Sequence, residues 1–125
     1  YLFSDMIDLS SERRKFARAE TSIPIQYKNL KNSEIGVIGT LSQSISEGGT
    51  RFFANEFLPL ATRLIIEIML PSLPRPVKAL SKVAWVRKIS TQDKYEVGNQ
   101  FLDITKEDKK HIANFVATTT TLGTL

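Results

Sequence analysis

The sequence predicts a mainly β fold: a six-stranded antiparallel β-barrel with a C-terminal α-helix. Two observations lead there. Six short apolar stretches separated by turn residues occupy positions 23–102, and a helix-start signal followed by one amphipathic segment comes after them.

The elements follow in order. Residues 1–11 have apolar side chains at positions 2, 3, 6, 7 and 9, which fits a short amphipathic helix or a packing arm. They are expected to be an N-terminal arm, the end of an upstream segment, or a contact for a second subunit. Residues 12–22 form a charged arm, with Phe16 placed to pin it to an apolar surface. In residues 23–27, Ile23, Ile25 and Tyr27 alternate with other residues, and Pro24 suits an edge or a strand start. A polar turn over 29–34 leads to a long strand at 35–44, with Val37 and Leu41 on one face and Ile38 and Ile45 hinting at a change of face. Gly36 and Gly39 suggest a bend or bulge, as a sheet curling into a barrel requires.

The pair Gly48-Gly49 turns the chain sharply into a short strand at 50–54, and Pro59 lies in the connection that follows. Leu64, Ile66, Ile68 and Leu70 alternate cleanly and form a core face. Pro71, Pro74 and Pro76 interrupt regular structure before a strand at 77–89, in which Val77, Ala79, Val83 and Trp85 are expected to share a face. The last strand covers 95–102. Thr105-Lys106-Glu107-Asp108 resembles a capping box, with a hydroxyl at the N-cap and a carboxylate three residues later. Asp108, Ile112, Phe115 and Val116 then share one side of a helix. Residues 118–125 have no pattern beyond a threonine run and are expected to fray.

A chain of 125 residues is one domain by size, and 42% hydrophobic with 24% charged residues is ordinary for a globular protein. Without cysteine there is no disulfide framework or cysteine zinc site, and a cytoplasmic location is expected. No apolar run approaches the roughly 20 residues of a membrane-spanning helix, and no signal-peptide pattern is present. The chain begins with Tyr1 rather than methionine, as a piece of a longer protein would.

The residues of catalysis are sparse. His111 is the sole histidine, flanked by lysines on the helix, and reads as a surface or half-buried helix residue. No His-x-x-x-His pair, Walker-type loop or Gly-x-Ser-x-Gly elbow occurs, so no enzyme and no cofactor are expected.

Binding chemistry is better represented. Arg13, Arg14, Lys15 and Arg18 crowd into six positions, a cluster able to meet phosphate through charge and forked hydrogen bonds. Ser44 and Ser46 flank Ile45 in an extended segment that ends at Gly48-Gly49. Arg14 to Arg18 fits Arg-x-x-x-Arg, and Ser44 to Gly49 is close to Asp/Asn-x-Ser-x-x-Gly. In this order and at this separation, the pair resembles the PilZ domain, a receptor family for the bacterial second messenger cyclic di-GMP. The resemblance covers residues 12–117.

It implies that Arg14 and Arg18 hold guanine and phosphate and that Arg13 adds a further contact. Ser46 would give a hydroxyl, with Gly48 and Gly49 at the turn and Gly49 giving close backbone access. The family's acidic or amide residue falls on Ser44 here, whose single hydroxyl has a shorter reach, so a weakened guanine contact is expected. A partner protein or attached domain would read the bound state, with a homodimer a further possibility. The alternative is a PilZ-like interaction or dimerisation module that does not bind the nucleotide. A single-stranded nucleic-acid barrel would need stacking platforms. Phe52, Phe53, Trp85, Tyr95 and Phe101 instead fall as core residues would, so no nucleic-acid polymer is expected as partner.

Overall fold

The structure, a computed structural model, describes residues 17–89 and 93–124. Among the described residues there are seven strands, one α-helix and a short 3-10 turn at Ser33–Ile35: β1 (Arg18–Ala19), β2 (Ile23–Asn29), β3 (Val37–Ser46), β4 (Gly49–Ala54), β5 (Arg63–Ile68), β6 (Val77–Lys88), β7 (Tyr95–Ile104) and α1 (Lys106–Thr124). Six of the strands close on themselves in the order β3-β2-β5-β6-β7-β4, with β4 returning to β3, and every pairing is antiparallel. Closure leaves no unpaired edge within the barrel. The predicted six-stranded barrel with a C-terminal helix is therefore the observed fold. The seventh strand, β1, is an addition: two residues of the charged arm pair with the end of β3, Arg18 opposite Ser46 and Ala19 opposite Ile45. Ala19 is buried and anchors this end of the arm. Phe16, expected in that role, lies outside the described residues, as do residues 1–11.

The interior is filled by Ile25, Tyr27, Ile45, Phe52, Leu64, Ile66, Ile68, Val77, Val83 and Val97, with Leu58 also part of the core. The alternating set at 64–70 is buried throughout, as its periodicity requires. Ile112 and Val116 are buried on α1, which packs against β1 and β3. The cap at Thr105 forms: the Asp108 amide donates to Thr105 Oγ1 at 3.1 Å. The Asp108 carboxylate turns to another task, accepting from Arg75 Nη2 at 2.8 Å and from the Lys78 amide at 3.4 Å. It thereby ties the helix start to the entry of β6. The helical backbone continues to Thr124, past the point where the sequence loses its pattern.

Val37 and Leu41 do share a face of β3, and it points to solvent, since both are about half exposed. Two expectations need correction. Gly39 pairs in register with Gln26, and the β3 irregularity falls between Ser42 and Ser44 instead. Trp85 does not share a face with Val77, Ala79 and Val83. A register shift between Val83 and Trp85 absorbs Ala84, and Trp85 is 42% exposed whereas Val83 is buried.

Tyr27 gives the core a polar end. Its ring lies 5.1 Å from that of Phe52, and its hydroxyl donates to Glu56 Oε2 at 2.8 Å. Burial and the Glu56 carboxylate both raise the Tyr27 pKa above its ordinary value of 10.0. Below that value both folded and unfolded states hold the proton. Above it the unfolded chain releases a proton that the folded chain keeps, so stability is present in full below pH 10 and falls as pH rises. Tyr27→Phe is expected to cost about 1 kcal/mol at neutral pH and to flatten this alkaline decline. Urea melts between neutral and alkaline pH check it; identical slopes for the two proteins would contradict the assignment.

Candidate functional site

β-Bulges decide which side chains face outward near the Gly48-Gly49 turn. Up to Ser42, β3 points its even-numbered residues inward, with Ser42 opposite the core residue Phe52. The shift at Gln43 reverses that parity, so Ser44 pairs with Arg51 while Ile45 turns into the core opposite Thr50. The shift in β6 does the same for Trp85, which becomes the partner of Gly98. Ser44, Ser46, Gly49, Arg51, Gly98 and Trp85 are thus gathered on the outer surface of β3, β4, β7 and β6.

There they line a pocket of about 200 Å³ together with Arg18 and Gly48; Thr50 and Asn99 complete its wall. Gly49 and Gly98 are needed for close approach. A Cβ on Gly49 would lie 2.0 Å from the Asn99 carbonyl oxygen, and one on Gly98 would lie 2.1 Å from Trp85 Nε1. The indole therefore lies close over Gly98 and forms one wall. Ser46 is partly occupied by its own turn: its hydroxyl accepts from the Gly48 amide at 3.1 Å and donates to the Gly49 carbonyl at 3.4 Å.

A chain of ion pairs crosses this surface. Arg18 Nε lies 3.3 Å from Glu20 Oε1, and Arg51 Nη2 donates to Glu20 Oε2 at 3.0 Å. Arg51 Nε lies 3.4 Å from Glu96 Oε2, and Arg87 donates to the other Glu96 oxygen. Three guanidinium groups meet two carboxylates, so the network retains a positive excess. Glu96 is only 5% exposed and relies on both arginines, since a buried carboxylate without partners is costly.

Of the residues singled out from sequence, Arg18, Ser44, Ser46, Gly48 and Gly49 are brought together. Arg13 and Arg14 lie outside the described residues. Arg51, Trp85, Gly98, Glu20 and Glu96 were missed. Arg51 had a local signal, because it stands two residues after Gly49 and so shares its face. Trp85 had none, because its outward turn depends on a bulge. His111 lies 3.6 Å from Glu107 one helical turn earlier, and among the described residues no group of three or more metal-ligating side chains could hold an ion. No helix among the described residues is long and apolar enough to cross a membrane.

The PilZ domain family profile matches residues 12–118. The chain belongs to the PilZ family. Structures of similar fold include the Bacillus subtilis inhibitor of motility MotI, with a TM-score of 0.76 at 18% identity, covering 88% of this chain and 52% of that one. The PilZ domain of Escherichia coli YcgR with c-di-GMP has a TM-score of 0.67 at 12% identity, covering 89% of this chain and 94% of that domain. Borreliella burgdorferi PlzA in complex with c-di-GMP gives 0.55 at 12% identity, covering 98% of this chain and 58% of that one. The PilZ domain described here thus spans about half the length of MotI. Among curated protein sequences there is no significant match.

Proposed function

We propose that this PilZ domain is a receptor module for cyclic di-GMP, which it holds on the outer surface of β3, β4 and β7 beneath its N-terminal arm. The observation that carries this reading is the pairing of Arg18 with Ser46 in the β1–β3 ladder. It brings the second arginine of Arg-x-x-x-Arg beside the serine of Ser-x-x-Gly, from segments 28 positions apart (46 − 18). Arginine suits such a ligand because its planar fork meets phosphate oxygens and the O6 and N7 edge of guanine. Arg18 supplies one fork, Arg13 and Arg14 supply others from the adjoining arm, and Ser44, Ser46, Gly48 and Gly49 form the opposing rim. The exposed indole of Trp85 offers a guanine a flat stacking surface.

The output is conformational. The arm's β1 strand lies against β3 and also touches α1, so closing the arm over a ligand alters a surface that a partner protein or attached domain reads. A non-enzymatic, cytoplasmic role belongs to the same reading. Calorimetry with cyclic di-GMP is expected to show saturable binding, and the ligand is expected to slow tryptic cleavage within residues 12–18. No heat and unchanged cleavage would return the domain to the role of a nucleotide-free interaction module.

A further inference from the structure

We propose that Arg51 is a further ligand-binding arginine, beside Arg18 in this pocket, and that Glu20 holds the place of a ligand phosphate between Arg18 and Arg51 until nucleotide displaces it. The inference rests on the cyclic di-GMP reading and deepens it.

One carboxylate joins the two guanidinium groups, an oxygen to each: Oε1 at 3.3 Å from Arg18 Nε and Oε2 at 3.0 Å from Arg51 Nη2. Two unesterified oxygens of a phosphodiester present the same pair of acceptors, with the same charge. The second carboxylate of the network behaves differently. Glu96 is buried beneath Arg51 and Arg87, so it is a fixed support that restrains the Arg51 fork from the Nε side. The Glu20 side chain is 55% exposed, so solvent can receive it when it swings away. Displacement of Glu20 costs little, whereas displacement of Glu96 would leave a buried charge poorly paired.

Ser44 completes the argument. It is the cross-strand partner of Arg51 and faces the same pocket. An aspartate at position 44 would stand opposite Arg51 at the separation where opposite charges pair and would tend to neutralise it. Serine brings no charge and leaves Arg51 available to an anion. The serine that shortens one arm of the motif therefore sets no further carboxylate against the cation two positions beyond its glycine.

The test is a calorimetric cycle with cyclic di-GMP on the full chain, using Glu20→Gln, Arg51→Ala, Arg51→Lys and the double variant Glu20→Gln/Arg51→Ala. Circular dichroism melts verify that each is folded. Glu20→Gln is expected to bind about two- to fivefold tighter, the scale of an exposed ion pair. Arg51→Ala is expected to bind roughly 5- to 150-fold more weakly, the range for losing a forked contact. Arg51→Lys keeps the charge but loses the fork, and should fall between wild type and alanine. In the Arg51→Ala background the gain from Glu20→Gln should shrink, because the two residues act through one contact. Weaker binding by Glu20→Gln, or wild-type affinity in folded Arg51→Ala and Arg51→Lys, overturns this inference while wild-type binding keeps the receptor reading intact. A wild-type protein that binds no cyclic di-GMP removes both.

Discussion

Arg18→Ala is expected to weaken cyclic di-GMP binding by about 1–3 kcal/mol while leaving the fold nearly unchanged. The two halves of that expectation have separate causes. Arg18 is half of a short strand whose buried residue is Ala19, so alanine at position 18 preserves the ladder and the anchor. Its ion pair with Glu20 lies at the surface, where such pairs contribute about 0–1 kcal/mol. Binding has more to lose, because Arg18 pairs with Ser46 across the ladder and lines the same pocket. Arg14→Ala, which removes the other arginine of the motif, is expected to lose affinity on the same scale. Calorimetry paired with a thermal melt separates the effects. Full affinity in both single variants would dismiss the arm as the binding element.

Gly49→Ala is expected to destabilise the protein by about 1–3 kcal/mol or more and to abolish the pocket as now shaped. The added carbon would sit 2.0 Å from the backbone oxygen of Asn99, so no rotamer change relieves the contact and β4 must part from β7. For a domain of this size each kcal/mol lowers the melting temperature by roughly 4 °C. Gly39→Ala is the matched control, since its Cβ would meet nothing within 4 Å. Equal melting temperatures for these two variants would show that β4 and β7 do not approach as closely as described. Gly98 differs again. Its added carbon would strike the Trp85 indole, a partly exposed side chain rather than backbone, so stability should suffer less than the pocket wall does.

Much of the candidate site was legible because its two motifs are local. Arg-x-x-x-Arg and Ser-x-x-Gly are each read within a few residues, and Arg18, Ser44, Ser46, Gly48 and Gly49 do meet in one pocket. Glu20 carries no local signal, because a lone glutamate on an arm is an ordinary surface residue, and the place of Arg51 two residues after Gly49 gives its face but not what it meets there. Their meaning comes from the β1–β3 and β3–β4 pairings, which place both beside Arg18. Trp85 was assigned to the core by strict alternation from Val77, and one extra residue at Ala84 reversed it.

Local pattern was enough to specify a barrel followed by a helix. Alternating apolar residues such as Leu64, Ile66 and Ile68 must be buried, and Thr105 and Asp108 start a helix wherever the strands end. The sequence also carried both local motifs of the candidate site. Tertiary structure alone decided which side of the sheet those residues face and what stands beside them. Period-two alternation fixes only the relative orientation of neighbours, and each bulge resets it. A bulge is defined by the partner strand, and neither β3 nor β6 carries in its own residues the register at which β4 and β7 pair with it.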